Sequence, residues 1–246
     1  MKARFDAGGD VVVITGGANG IGRALALAAS QAGASVVVCD MDEAALASLQ
    51  AEAPNVAIRH LDVSDRDAVM TCFAEIETSI GAVDGLVCAA AIQPRTTIAA
   101  MDPREWEKVI AVNLNGVMWC YQAVVGSMIA RRKGSVVAFS SGLAHQGWPE
   151  ASAYASTKAA LAAWVKSAAK EVARHRVRVN LIAPGVIDTP QYRAANAGSD
   201  DAGWKSTLGV GRPEDVVGPL MFLLSDAATM TASVLSRDMA FSRDEI

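Results

Sequence analysis

Short runs of β-branched residues alternate along the chain with longer amphipathic patterns. The runs predict strands at 10–16, 35–40, 55–63, 83–91, 134–141 and 177–185. The stretches between them predict helices at 21–34, 42–53, 65–80, roughly 103–131, 153–174 and 213–224. Apolar strands joined by helices are typical of a parallel sheet covered on both faces. The pattern therefore predicts an α/β fold, a doubly wound parallel sheet with helices on both faces, in a single domain spanning 1–246.

One stretch, 188–210, interrupts this alternation. It is rich in Gly, Asp and Ser and follows the last predicted strand. Ligands bind beyond the carboxyl ends of the strands in open α/β sheets. The stretch is therefore either a mobile segment on the substrate side or a plain surface insertion, and the pattern does not separate the two.

Composition and charge argue against two kinds of binding partner, nucleic acids and membranes. The net charge of -4 and pI near 5.4 argue against a nucleic-acid surface. The basic cluster 131–133 precedes Gly134 and is typical of a helix end. No apolar run reaches the roughly 18 residues of a membrane span, and no secretory signal is apparent. We expect a cytoplasmic protein without nucleic-acid or membrane partners.

The cysteines and histidines do not form a metal-binding motif in the sequence. Cys39, Cys72, Cys88 and Cys120 are scattered without a CxxC pair, and the three histidines are far apart. This spacing predicts free thiols in a reducing compartment and no metal site.

Glycines occupy positions 16, 17, 20 and 22, between the first predicted strand and the first predicted helix. Glycine tolerates a tight turn and lets backbone N–H groups approach a pyrophosphate, to which a helix N-terminus adds partial positive charge. The strand–turn–helix context is the one that a dinucleotide-binding turn requires. The sequence thus predicts a Rossmann fold that binds a dinucleotide.

Asp40 ends the second predicted strand, 24 residues after Gly16. A carboxylate there can accept hydrogen bonds from both ribose hydroxyls of an adenosine. The 2′-phosphate of NADP would be repelled, by about 4 kcal/mol for unit charges about 4 Å apart at an effective dielectric near 20. Asn19 and Met41 supply no compensating cation. These residues predict NAD as the cofactor.

Tyr154 and Lys158 are four residues apart in a predicted alanine-rich helix, so both lie on one face. A nearby ammonium favours the phenolate and lowers a tyrosine pKa that starts near 10. The pair is a candidate general acid/base. An isolated YxxxK spacing would be better explained by a surface lysine beside an incidental tyrosine, because such a spacing is common by chance.

Other motifs accompany this pair. In order they are TGGANGIG at 15–22, DV at 62–63, VNLNG at 112–116, SSG at 140–142, YASTK at 154–158 and APGVIDT at 183–189. Together they resemble the short-chain dehydrogenase/reductase family, from about residue 10 to residue 240. The resemblance implies hydride transfer between a nicotinamide and a secondary alcohol or ketone.

The resemblance also implies roles for four residues. Tyr154 would exchange a proton with the substrate hydroxyl, and Lys158 would lower the tyrosine pKa and hold the nicotinamide ribose. Ser141 would hydrogen-bond the substrate oxygen, and Asn113 would support a water relay from Lys158. A homodimer or homotetramer is a further expectation from the resemblance alone.

From the turn, Asp40 and the resemblance together, we expect the following cofactor contacts: Gly16, Asn19, Gly20, Ile21, Gly22, Asp40, Met41, Asp62, Val63, Ala89, Tyr154, Lys158, Ile187 and Thr189. The residues expected to face the substrate, or else to pack within loops, are Ser141, Gln93, Leu143, His145, Trp148, Val186 and Tyr192. This set suits a neutral alcohol, cyclic ketone or polyol, and no Arg or Lys cluster is obvious for an anion.

Two stretches depart from the family pattern. Where the family commonly has Asn-Asn-Ala-Gly, this chain has Cys88-Ala89-Ala90-Ala91. Near the end, Ala232, Met239 and Ala240 replace family glycines. These changes support one alternative, a catalytically idle NAD-binding sensor or scaffold. An epimerase or dehydratase would typically carry a larger C-terminal domain than the residues after APGVIDT allow.

Overall fold

In the computed structural model, which describes residues 3–197 and 209–237, one parallel sheet has the strand order β3-β2-β1-β4-β5-β6-β7. The strands are β1 (Val11–Thr15), β2 (Ser35–Asp40), β3 (Ala57–His60), β4 (Gly85–Cys88), β5 (Gly134–Phe139), β6 (Val177–Ala183) and β7 (Val234–Ser236). The predicted doubly wound parallel sheet is confirmed. The strands β2 and β3 are added on one side of β1, and β4 to β7 are added on the other. This change of side between β1 and β4 opens a crevice at their carboxyl ends.

Helices cover both faces of the sheet. They are α1 (Gly20–Gln31), α2 (Glu43–Glu52), α3 (Arg66–Ser79), α4 (Pro103–Ile110), α5 (Gly116–Arg131), α6 (Leu143–Gln146), α7 (Ser152–Val172), α8 (Pro190–Ala195) and α9 (Glu214–Leu224). One apolar core joins the sheet to α3, α5 and α7, and the other joins it to α1, α2 and α9.

The strands divide their side chains between these two cores by simple alternation. Val13 faces the α3–α5–α7 core, whereas Val12 and Ile14 face the other. Leu86 and Val87 divide in the same way on β4. A strand buried on both faces needs apolar residues at every position, which is why these strands appear in the sequence as unbroken runs.

Side-chain caps set the start of several helices close to the predicted positions. Asp42, Asp65 and Asp102 each accept a backbone N–H from the first turn of α2, α3 and α4. The predicted helix at 103–131 is instead two helices joined by a π turn at Ala111–Asn115. By length and mean hydropathy Pro103–Arg131 could cross a membrane, but α5 packs its buried face against the sheet core.

The four cysteines, scattered in sequence, come together in pairs beneath the crevice. All are buried and free. The Cys39 and Cys72 side chains share a hydrogen bond, as do those of Cys88 and Cys120. Within residues 3–197 and 209–237, no group of three or more potential metal ligands is found.

The irregular stretch 188–210 begins with ordered structure. Thr189 caps α8 by accepting the N–H of Tyr192 at 3.1 Å. Gly211 then pairs with Ile187 in an isolated parallel bridge. The central part of the stretch lies outside the described residues, as do Met239 and Ala240, so the choice between a mobile segment and an insertion is untested.

Candidate active site

A cavity of about 500 Å³ lies at the carboxyl ends of the central strands. Of the residues expected to contact cofactor or substrate, those on its wall are Gly16, Asn19, Gly20, Ile21, Gly22, Asp40, Met41, Asp62, Val63, Ala89, Gln93, Ser141, Leu143, Tyr154, Lys158, Val186, Ile187, Thr189 and Tyr192. The tertiary structure thus gathers residues from almost the whole chain around one space.

At one end of the cavity, the glycine turn leads into α1. A Cβ at Gly16 would lie 2.5 Å from the backbone nitrogen of Ala90, and φ at Gly16 is +66°. Asn19 forms no side-chain cap, and the first turn of α1 carries no acidic residue. The first N–H groups of α1 are therefore left without a side-chain partner, at the pole of the helix that attracts anions. This end of the cavity fits a pyrophosphate.

Asp40 stands beside that turn at the end of β2. Its carboxylate accepts the N–H of Ala18 at 3.0 Å and the N–H of Asp42 at 3.1 Å. Asp42 in turn accepts the side-chain amide of Asn19 at 3.1 Å. Two carboxylates therefore border the turn, one more than the sequence analysis recognised. The guanidinium of Arg23 donates to the carbonyl of Ala18 in this turn at 3.2 Å and is paired with Glu52 at 2.6 Å.

At the other end of the cavity, Tyr154, Ser141 and Lys158 meet. Lys158 Nζ lies 5.5 Å from the centroid of the Tyr154 ring, as expected for neighbours one helical turn apart. The Tyr154 and Ser141 side chains share a hydrogen bond, although 13 positions separate them in sequence. The Ser141 oxygen also accepts the N–H of Leu143 at 3.2 Å. This bond fixes the serine hydroxyl at the end of β5.

Burial dominates the ionisation of this pair. It raises the pKa of Tyr154 to about 12, against smaller lowering influences from the Ser141 hydrogen bond and the Arg95 charge. It also lowers the pKa of Lys158 to about 8. The spacing in the sequence predicts that the ammonium lowers the tyrosine pKa, but the net shift of that pKa is in the opposite direction. The reason is that packing desolvates both charged forms more than the two groups stabilise each other.

Asn113 is fully buried and does not line the cavity. Its side-chain oxygen accepts the N–H of Ile92 at 2.8 Å, and its amide donates to the carbonyl of Ile92 at 2.9 Å. The amide also lies 3.3 Å from the Thr157 hydroxyl oxygen. Asn113 thus ties the loop after β4 to the helix that carries Tyr154 and Lys158.

The departure at 88–91 lies where β4 meets the glycine turn. Ala89 donates its N–H to the carbonyl of Thr15 at 2.9 Å, which keeps the strand end in register without an asparagine side chain. Ala89, Ala90 and Ala91 all line the cavity. The altered run therefore forms this part of the wall from alanines, without the amide of the family pattern.

The substrate end differs in part from the expected set. His145 and Trp148 do not line the cavity in the described chain, whereas Gln146 does. Positions 143 and 146 are three residues apart on α6 and share a face, so His145 is turned away. Other polar or charged wall residues outside the predicted set are Arg95, Lys108, Ser140, Gln191 and Asn196. Arg95, two positions after Gln93 in the same loop, was visible as a charge in the sequence.

Comparisons with known proteins agree with this architecture. The sequence model of the family described as short chain dehydrogenase matches residues 10–200. The 3-oxoacyl-(acyl-carrier-protein) reductase FabG of Thermotoga maritima is 36% identical, over 94% of this chain and 96% of its own. Cis-4-hydroxycyclohexanecarboxylate dehydrogenase of Sinomonas cyclohexanicum is 34% identical, over 92% and 93%.

A similar solved structure is that of a gluconate 5-dehydrogenase from Burkholderia cenocepacia in complex with NADP and tartrate. It superposes with a TM-score of 0.87 at 32% identity, covering 95% of each chain. This class of protein is an oxidoreductase that uses a nicotinamide cofactor. It is defined by the parallel sheet, the glycine turn and the Ser–Tyr–Lys cluster. The chain belongs to the short-chain dehydrogenase family.

Proposed function

We propose that this protein is an NAD-dependent oxidoreductase that interconverts a secondary alcohol and a ketone. The observation that supports this most strongly is the convergence of Ser141, Tyr154 and Lys158 at one end of the cavity that begins at the glycine turn. A protein that only binds a dinucleotide has no need of a serine–tyrosine hydrogen bond at that place.

Each residue of the cluster has a distinct proposed task. When bound, the nicotinamide cofactor accepts or supplies the hydride at the carbinol carbon. Tyr154 donates its proton to the substrate oxygen during reduction, and its phenolate takes the hydroxyl proton during oxidation. Ser141 hydrogen-bonds the same substrate oxygen. Lys158 provides a positive charge near the phenol ring, and Asn113 holds the loop after β4. Positioned proton transfer of this kind contributes roughly 10²- to 10⁴-fold to a rate.

The end of β2 supports NAD as the cofactor. Asp40 and Asp42 border the turn, and Arg23 is engaged by Glu52. A 2′-phosphate there would meet negative charge without a free cation among these residues. The gluconate 5-dehydrogenase structure contains NADP, so relatives of this fold use that cofactor as well. We therefore assign the preference to these particular side chains and not to the fold.

The substrate is proposed to be a small alcohol or ketone. Two relatives are named for reactions at hydroxyl groups of a cyclohexanecarboxylate and of gluconate. The cavity wall around Tyr154 combines Leu143 and Val186 with the amides of Gln93, Gln146 and Gln191. Apolar walls with a few amides suit a ring or a short polyol. We further propose a homodimer or homotetramer that works in the cytoplasm.

The test is formation of NADH by the purified protein with a panel of alcohols: cyclohexanol, sorbitol, gluconate and cis-4-hydroxycyclohexanecarboxylate. At least one should reduce NAD, with a higher kcat/KM than with NADP. Cofactor binding is measured separately by titration calorimetry. Binding of NADH without turnover of any alcohol, or of the matching ketones, would favour the idle sensor or scaffold instead.

A further inference from the structure

Arg95 lies in the loop after β4, three residues beyond Ile92, and connects three segments at the substrate end of the cavity. Its guanidinium donates to the carbonyl of Ala195 at 3.1 Å and to the side-chain oxygen of Asn196 at 3.1 Å. A third, longer contact at 3.5 Å reaches the carbonyl of Pro149. Arg95 is partly buried and lines the cavity itself.

All three of these acceptors are electrically neutral. Among the described residues, no carboxylate lies within ion-pair distance of Arg95. Arg193, on the neighbouring α8, is different, since Asp188 accepts from it at 2.7 and 2.8 Å. The positive charge of Arg95 is therefore positioned by hydrogen bonds without being neutralised by them. A partly buried charge without a counter-ion can be offset by an anionic ligand.

The charges on the cavity wall are separated along its length. The carboxylates among its described lining residues are Asp40 and Asp62, both at the end with the glycine turn. Asp62 is held there by the N–H and hydroxyl of Ser64 at 2.8 and 2.7 Å. At the end with Tyr154, the charged wall residues are Lys158 beside the tyrosine ring, Arg95 and the more exposed Lys108. Among the charged side chains of the described wall, those that would attract an anionic group thus lie at the substrate end.

Arg95 is also within electrostatic range of the reacting group. Its charge lowers the pKa of Tyr154, against the larger effect of burial. Arg95 and Tyr154 also line the same cavity of about 500 Å³, so a ligand that contacts the guanidinium shares that space with the reacting alcohol.

We propose that the substrate is a hydroxy acid, or the corresponding keto acid, whose carboxylate is bound by Arg95. This inference rests on the proposed oxidoreductase function, and it replaces the neutral substrate expected from the sequence. In the oxidation, the carbinol C–H and O–H bonds break as the C=O bond forms. The hydride passes to NAD and the proton to the phenolate form of Tyr154, which becomes the phenol, and the carboxylate is chemically unchanged. Arg95 is a specificity-determining residue in this scheme.

The first test uses the unaltered protein and matched substrates. Each acid is compared with its neutral amide, namely 4-hydroxycyclohexanecarboxylate with its carboxamide and gluconate with gluconamide. The acid should have the higher kcat/KM by about 10- to 100-fold, the usual range for a hydrogen bond to a charged group. Equal use of acid and amide would overturn the proposal while leaving the oxidoreductase function intact.

The second test assigns this preference to Arg95. Arg95→Gln should bring the acid-to-amide ratio close to one, and Arg95→Lys should retain part of it because lysine keeps the charge without the planar fork. Arg193→Gln is the matched control, since its charge is already paired, and should leave the ratio unchanged. The ratio cancels any influence of Arg95 on Tyr154 that both substrates share. An unchanged ratio in Arg95→Gln would overturn the assignment.

A binding measurement separates failure of this inference from failure of the proposed function. Cyclohexanecarboxylate has no hydroxyl group and cannot react. With NADH present, it should raise the Tm of the unaltered protein more than cyclohexanecarboxamide does, and Arg95→Gln should lose that difference. Selective binding without turnover of any alcohol would support the anion site and contradict the oxidoreductase. Turnover of an alcohol without selective binding of cyclohexanecarboxylate would support the oxidoreductase and contradict the anion site.

Discussion

Lys158 Nζ lies 5.5 Å from the centroid of the Tyr154 ring, and both residues are on the wall of one cavity. The amine is beside the ring, while Ser141 hydrogen-bonds the side chain of Tyr154. The phenol therefore has a partner for its oxygen and a separate source of positive charge. This division allows the serine to contact the substrate oxygen while the lysine stays in place.

Replacing Tyr154 by phenylalanine should remove proton transfer and leave the cavity shape intact. We expect kcat to fall by roughly 10²- to 10⁴-fold, with NADH affinity within a factor of a few. Tyr121→Phe is the matched control, because the Tyr121 hydroxyl is buried without a hydrogen-bond partner. Steady-state kinetics and calorimetric titration of NADH measure both effects. Near-normal kcat in Tyr154→Phe would remove this residue from its proposed role.

The lowered pKa of Lys158 predicts a pH dependence of stability. The folded protein binds the lysine proton less well than the unfolded chain, whose pKa is 10.5, as against about 8 when folded. Between pH 8 and 10.5 the unfolded state therefore carries more protons, and the contribution of Lys158 to stability rises with pH.

The comparison is with Lys158→Met, which has no titrating amine. Relative to this variant, the unaltered protein should gain roughly 1 to 3 kcal/mol between pH 7.5 and 10. Urea unfolding at several pH values gives both free energies. Staying below pH 10 avoids titration of Tyr154, whose pKa is about 12. Parallel pH profiles for the two proteins would show that Lys158 is not desolvated as described.

The carboxylate of Asp40 is expected to set the cofactor preference. Asp40→Ser should raise the ratio of kcat/KM for NADP to that for NAD by at least about 10-fold, since it removes a negative charge close to the position of the 2′-phosphate. Asp42→Ser keeps a side chain able to cap α2 and measures the contribution of the second carboxylate. If the ratio did not change in either variant, the cofactor preference would have to come from elsewhere.

Ala232 replaces a family glycine at a position whose backbone conformation favours glycine. Its φ is +59°, in the left-handed region where the family pattern has glycine. An L-residue is destabilised there by about 1–2 kcal/mol, partly offset by the greater freedom of glycine in the unfolded chain. Ala232→Gly should therefore stabilise the protein by up to about 1 kcal/mol.

The control for this change is an alanine in ordinary helical geometry. Ala159 is exposed on α7, and Ala159→Gly should destabilise the protein by roughly 0.5 to 1 kcal/mol. Opposite signs in urea unfolding would confirm that backbone conformation, and not loss of a methyl group, decides the effect at 232. Destabilisation in both variants would contradict the left-handed conformation at that residue.

Local patterns in the sequence were enough to predict much of the fold and part of the site. The apolar runs predicted the strands, because strands buried on both faces need apolar residues at consecutive positions. The glycines before α1 predicted the turn, because close approach of Gly16 to Ala90 leaves no room for a side chain. The four-residue spacing of Tyr154 and Lys158 placed them on one face, because helical periodicity is local.

Relationships between distant segments depended on the tertiary structure. Two examples are the hydrogen bond between Cys39 and Cys72 and the contact of Arg95 with Ala195, 100 positions later. Both follow from how helices and loops pack around the sheet. The direction of the Tyr154 pKa shift also depended on it, because desolvation sums over all atoms that surround a group. Sequence spacing specifies neighbours along an element, whereas burial and charge balance are properties of the whole folded chain.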